Sequence, residues 1–322
     1  MSELNEDTRF VNYTPGDDLV QPFLIERTGI RGRLVRLGPV LDTILGRAEL
    51  PRPVAALLGE LVALGCLLGS TLKYDGVFTL QVKADGALKT MVTDMTSAGS
   101  LRGYASYDAE KVAELQETDS DLPSDITSWL GEGYMAFTVD QGQHSERYQG
   151  MVELQGPRLA DSLRHYFRQS QQINAGILVA VSQTDSGWRG GALLIERIPD
   201  SATGDVFEIS DEDWRHSLIL MSSCTEEELL APELSAERLI YRLFHEDGVR
   251  VFEPKSFDAT CRCSREKVVN VLKSLPSEQI RELSYEDGSV SMKCEFCSTN
   301  YHFSEAELEA LFREATDQQD NG

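Results

Sequence analysis

Four thiols near one end of the chain are the residues most able to do chemistry. Cys261 and Cys263 form a C-x-C pair in CRCSREK, and Cys294 and Cys297 form a C-x2-C pair in CEFC; thirty residues intervene. Elsewhere there are only Cys66 and Cys224. Such a quartet could hold a metal, form disulfides or carry out catalysis. Two close pairs a short domain apart match a structural tetrathiolate zinc site, with one ion per chain clipped between two tight turns. A disulfide between residues two apart closes a small, strained, easily reduced ring. That makes a poor staple but a usable reversible switch. A zinc tetrathiolate is net negative and keeps its sulfurs deprotonated, the form oxidants attack. Arg262, Arg265, Lys267 and Lys293 are basic neighbours that could balance this charge or be ordinary solvated side chains.

Other candidates are weaker. Cys66 lies inside an apolar run and reads as packing, and Cys224 reads as a stray thiol. His302 follows Cys297 closely enough to replace a ligand, but four cysteines already suffice. His144, His165, His216 and His245 have no ligand or triad spacing. No phosphate loop, nucleophile elbow, dinucleotide fingerprint or H-E-x-x-H is present, so the sequence gives no positive support for an enzyme.

The elements that must position the thiols follow from pattern. The first 20 or so residues read as polar and mobile. FLIERTGIRGRLVRLG reads as strands, PVLDTILGRAEL as a helix opened by Pro39, and the run after Pro51 and Pro53 to Leu72 as a buried helix. That run contains Glu60, and its apolar part is shorter than the ~20 residues a membrane span needs. Three strands separated by Gly punctuation predict an antiparallel meander, followed by YMAFTVDQG and ERYQGMVELQG as a pair. A helix with Leu159, Leu163, Tyr166 and Phe167 on one face comes next, then two more strands. From Asp200 to Arg250, 13 acidic residues face 4 basic ones amid amphipathic leucines. This reads as a helical acidic connector, with a sharper reading of a segment that folds only against its neighbours. Strand character then returns. Ser264 caps a helix, GSVSMKCEFCSTNYHF reads as a hairpin whose turn carries the second pair, and Ser304 caps a last helix.

The expected architecture is therefore α+β: a mixed sheet-and-helix core domain over 1–199, an acidic helical linker over 200–256 and a small zinc-binding domain over 257–322. The last is too small to rest comfortably on hydrophobic burial, so a metal would supply much of its folding free energy. The 322 residues carry a formal charge of -23. Such a surface repels phosphate backbones and anionic lipid heads, which counts against nucleic acid or membrane as partner, and it favours solubility. The N-terminus lacks a signal-peptide pattern, so the expected compartment is the cytoplasm, where thiols stay reduced.

RLFHEDGVRVFEP, CRCSRE, EDGSVSMKCEFC and YHF together resemble the heat-shock protein 33 family of redox-regulated chaperones. RPVAALLGELVALGCLLGSTLKYDG, ERYQGMVELQG, YFRQSQQI and GGALLI extend the resemblance over about nine-tenths of the chain. Gln171 departs from a common Glu, and Ser298 stands where glycine or another small residue often follows the last cysteine. The resemblance implies zinc held by Cys261, Cys263, Cys294 and Cys297 in a reduced, weakly active protein. It implies oxidation to disulfides Cys261–Cys263 and Cys294–Cys297, zinc release, and unfolding of the small domain and linker. The oxidised protein would dimerise and hold unfolding clients without ATP, so it would not be an enzyme. Two other readings compete: a zinc-ribbon-like docking module for nucleic acid or protein, and a thiol–disulfide oxidoreductase using CEFC, which would need that pair at a helix start.

Overall fold

Period-two alternation in the first 200 residues builds two antiparallel sheets around one apolar helix. The computed structural model describes residues 16–47, 49–118, 125–142, 148–170, 172–197, 209–285 and 287–311. Residues 1–15, His144 and Gln171 lie outside them. The chain divides into two compact units, Met1–Ala259 and Thr260–Gly322.

The first unit begins with β1 (Leu19–Ile25), β2 (Ile30–Leu37), α1 (Pro39–Gly46), α2 (Arg52–Thr71), β3 (Val77–Ala84), β4 (Leu88–Thr96) and β5 (Leu101–Tyr107). It continues with α3 (Ala109–Thr118), α4 (Thr127–Leu130), β6 (Gly133–Asp140), β7 (Tyr148–Glu153), α5 (Leu159–Ser170), β8 (Asn174–Thr184) and β9 (Gly187–Arg197). The acidic segment supplies α6 (Asp211–Ser222), α7 (Glu226–Leu230), α8 (Ala236–Phe244), β10 (Val249–Val251) and β11 (Lys255–Ser256). One sheet runs β10-β1-β2-β9-β8, with β11 also on β1; the other runs β5-β4-β3-β6-β7. Leu19 and Val20, expected within the polar N-terminal stretch, instead open β1 and are buried. Their alternation with Phe23 and Ile25 gives β1 an apolar side chain for each sheet face.

Helix α2 lies between the sheets, against β2, β8 and β9 on one side and β3, β4 and β5 on the other. Pro51 is its N-cap and Pro53 sits in its first turn, where a missing N–H costs nothing. It is long and apolar enough to cross a membrane by composition, but 89% of its apolar window is buried. Gly65 makes the close approach possible: a β-carbon there would lie 2.5 Å from Thr93 Cγ2 on β4.

The opposite face of the first sheet carries Phe23, Ile25, Ile30, Leu34, Leu193 and Ile195. Leu229 and Leu230 of α7 and Leu239, Ile240, Leu243 and Phe244 of α8 cover it. Phe23 and Phe244 stack with ring centroids 5.6 Å apart. Many acids of this layer occupy helix starts: Asp211, Glu212 and Asp213 in α6, and Glu226, Glu227 and Glu228 in α7. There they meet the positive end of the helix dipole, which offsets part of their mutual repulsion. Sheet-side arginines meet the layer from below. Arg27 pairs with Asp213 and Asp247 at 2.6 Å each, and Arg197 with Asp211 at 2.7 Å. Buried Arg36 donates to the carbonyls of Leu234 and Ala231, and Arg189 to that of Leu230.

The second unit contains α9 (Arg265–Ser274), α10 (Ser277–Leu283), β12 (Val290–Lys293) and β13 (Asn300–Phe303). Its buried apolar side chains among the described residues are Leu272, Ile280, Val290, Phe303 and Leu308. The Ser264 and Ser304 caps form as expected, accepting from the N–H groups of Lys267 and Glu307.

Candidate metal centre

Two loops bring the four cysteines together. Cys261 and Cys263 lie on the extended segment just before α9, whose start is fixed by Ser264. Cys294 and Cys297 occupy the turn between β12 and β13, which pair Val290 with Phe303 through Lys293 with Asn300. The Cys294 N–H donates to the Thr299 carbonyl (2.9 Å) and the Ser298 N–H to the Cys294 carbonyl (2.8 Å), closing the turn. Ser298 sits at φ 57°, in the left-handed region. A residue with a β-carbon is disfavoured there by about 1 kcal/mol, which is the physical reason glycine suits this position.

The four sulfurs all lie within 4.8 Å of one another. Cys261 and Cys294 sulfurs are 3.8 Å apart, and those of Cys263 and Cys297 are 3.3 Å apart. A tetrahedron with metal–sulfur bonds of about 2.3 Å has edges of about 3.8 Å, so the spacing suits one ion. The donor set is four soft thiolates, which selects a soft or borderline metal over magnesium or calcium. The sequence-predicted ligands thus converge and could hold a metal ion. His302 is not in the group: alternation along β13 turns Tyr301 to the sulfurs and leaves His302 exposed.

Two supporting side chains escaped the sequence reading. The Tyr301 hydroxyl lies 3.1 Å from the Cys263 sulfur, and the Thr299 hydroxyl 3.2 Å from that of Cys297. The usable signal was positional, since a hydroxyl two residues past the last cysteine falls beside its thiolate. Burial pushes the Cys297 thiol up, but bonds from the Thr299 hydroxyl and N–H and the neighbouring thiols outweigh it and hold it at about 6. Burial pushes Cys263 up to about 12 against the Tyr301 bond. The quartet therefore shares its protons unequally, and a bound dication would favour the thiolate at every position.

Two of the four basic neighbours are engaged away from the sulfurs. Arg265 donates to the His302 carbonyl, pairs with Glu307 at 2.6 Å and lies 4.1 Å over the Phe303 ring. Lys267 donates to the Arg262 carbonyl. Cys66 is buried in α2, and burial pushes its thiol up. Cys224 is partly buried at the α6–α7 junction, and burial pushes it up to about 11. His216 faces Asp247 at 3.2 Å, and the His245 ring lies tilted beside that of Tyr241 with centroids 5.1 Å apart.

The family model described as Hsp33 protein matches residues 18–304. The 33 kDa chaperonin of Caulobacter vibrioides is 39% identical over 290 residues, covering 88% of this chain and 94% of that protein. The 33 kDa chaperonin of Pseudomonas aeruginosa is 36% identical over 302 residues, covering 94% of this chain and 96% of its own. Among solved structures, the crystal structure of the 33 kDa chaperonin from Thermotoga maritima aligns with a TM-score of 0.79 at 23% identity, covering 94% of this chain and 100% of that one. That likeness is one of fold.

Proposed function

The chain belongs to the Hsp33 protein family, and from that premise we propose that it is a redox-regulated, ATP-independent chaperone, a holdase that protects unfolding proteins from aggregation under oxidative stress. The observation that carries the reading is the four-sulfur group, within 4.8 Å, in a unit with a small apolar core. Zinc bound to those four thiolates would supply the cross-link that this core lacks. One peroxide per cysteine pair takes two electrons as the disulfide forms and, with two protons drawn from solvent because the ligands are thiolates, is reduced to two waters. The family resemblance supports pairing Cys261 with Cys263 and Cys294 with Cys297, and it supports zinc release as the ligands are consumed. The C-terminal unit then unfolds. The acidic α6–α8 layer follows, and the apolar face of the first sheet, with Phe23, Leu34 and Ile195, becomes available to unfolding clients. The oxidised form dimerises. A charge of -23 keeps such an apolar-exposing state soluble.

This is a binding protein of the cytoplasm, with no catalytic, nucleic-acid or membrane role. The docking-module reading needs free basic groups by the thiols, and the engagement of Arg265 with Glu307 and Phe303 weakens it. The oxidoreductase reading needs CEFC at a helix start, and the pair lies in a hairpin turn.

The test follows light scattering of a heat-unfolding client with zinc-loaded reduced protein and with protein treated with warm peroxide, while a chromogenic chelator reports zinc. Suppression by the oxidised sample alone, rising with zinc release, is expected. Equal activity of the two samples, or zinc retained through oxidation, sinks the switch and leaves a static structural site.

A further inference from the structure

The gap between the two sheets is not filled along its whole length. Beside the last turn of α2 it opens into a cavity of about 260 Å3. Leu68 and Leu72 of α2, Phe137 of β6 and Phe167 of α5 give it an apolar interior. Arg31, Arg33 and Glu196, on the α2-facing side of the first sheet, line it too. None of these groups belongs to the thiol centre.

The interior is built before any ligand arrives. Phe137 meets Tyr166 edge-on with centroids 4.9 Å apart and Tyr148 at 5.8 Å. The Tyr148 and Tyr166 hydroxyls lie 3.4 Å apart. Gly150 permits this: a β-carbon there would fall 2.3 Å from the Phe137 ring. The charges at the opening do not cancel. Arg33 is spent on Glu196 at 2.7 Å, whereas Arg31 is exposed and has no ion-pair partner among the described residues. One guanidinium thus stands over an aromatic interior in a chain of net charge -23.

We infer that this cavity is a binding site for a small monoanion with a flat apolar body, an aromatic carboxylate whose ring enters between Phe137 and Leu72 while its carboxylate pairs with Arg31. The size limits the ligand. At the roughly 30 Å3 a water occupies in the liquid, the space equals about nine waters, hence a ligand of about ten non-hydrogen atoms. That falls below the drug-sized range of about 300–1,000 Å3. Guanidinium favours carboxylate because its planar fork matches two oxygens. A cation is disfavoured because Glu196 already has its partner.

The test is an amide-resolved NMR titration of the reduced full chain with 3-phenylpropanoate and with neutral 3-phenylpropan-1-ol. Saturable shifts are expected at Leu72, Phe137 and Ile173, with the acid binding about tenfold tighter than the alcohol. Arg31→Ala, on an exposed side chain that will not disturb folding, should erase that advantage and leave the alcohol unchanged. Leu72→Trp should fill the space and abolish both. The inference is overturned by the absence of saturable shifts there up to about 10 mM, by an acid affinity indifferent to Arg31→Ala, or by shifts mapping elsewhere. A peptide ending in Phe that moves the same amides with more than tenfold tighter binding would make the partner a protein, and would overturn it equally.

Discussion

The first sheet is covered by helices on both faces, and the two covers are made of opposite materials. On one face α2 carries a single charged residue between Pro53 and Thr71, Glu60, and it is enclosed by a second sheet. On the other face α6, α7 and α8 bury one side, expose an acidic one, and are fastened by Arg27, Arg36, Arg189 and Arg197. The enclosed helix cannot leave without dismantling both sheets. The outer layer can leave while every sheet hydrogen bond except those of β10 and β11 stays made. The difference teaches where a conformational switch can sit: in a cover held by one apolar face and a few polar fastenings.

Equal truncations on the two sides should give unequal outcomes. Leu61 of α2 and Leu239 of α8 are both fully buried, and each Leu→Ala change should cost about 2–5 kcal/mol. Leu61→Ala should lower the main thermal transition of the whole first unit. Leu239→Ala should leave that transition nearly in place and hasten tryptic cleavage at Arg215, Arg238 and Arg242. If both variants lower the same transition and cut alike, the layer is an inseparable part of the core and the contrast fails.

The inner cover has its own weak point. Glu60 is buried, its Oε1 has no hydrogen-bond partner, and burial raises its carboxyl to about 7 against the pull of Arg158 and the Ala160 N–H. The folded state thus binds this proton more tightly than the unfolded chain does. Its contribution is fully present below the unfolded value of about 4.5 and is lost as pH rises through about 7, a loss of about 3 kcal/mol. Melting temperature should fall from pH 5 to pH 8 in the wild type, and Glu60→Gln should flatten much of that fall. Parallel curves would mean that water reaches the carboxylate and that α2 is less enclosed than its neighbours indicate.

Much of this contrast was legible in the sequence. Pro51, Pro53 and the apolar run announced α2, and the leucines among acids announced an amphipathic acidic helical segment, read as a connector and not as a cover of the sheet. Glycine punctuation gave the meander, and cysteine spacing gave the four candidate ligands. Helices α3, α4 and α10 escaped notice because α4 is a single turn and the other two are largely polar, with too few apolar residues for periodicity to reveal a face. The pairing of β10 and β11 with β1 joins Phe23 to Val251 and Leu19 to Ser256. No local pattern encodes a contact across that much chain. For the same reason Tyr301 was invisible as a partner of Cys263, 38 residues away, because the hairpin that delivers it must be built first, whereas Thr299 carried the positional signal of a hydroxyl two residues past Cys297.

The finest test of the outer cover is its smallest fastening. Thr225 caps α7 by accepting the Glu228 N–H, while Glu228 accepts the Thr225 N–H at 3.0 Å. Glu228 also pairs with Arg242 of α8 at 2.6 Å, so one cap links two helices of the layer. Thr225→Ala removes one acceptor and leaves the buried Leu229 and Leu230 untouched, so the cost should be about 1 kcal/mol. At that cost the open population of a separately unfolding layer rises about fivefold. Amide exchange should speed by that factor at Leu229 and Leu239 and stay unchanged at Leu61 and Leu64. Exchange that accelerates equally in α2 would show that the two covers open as one cooperative unit. Exchange that changes nowhere would show that the layer opens without breaking its caps, by lifting off the sheet as a folded body.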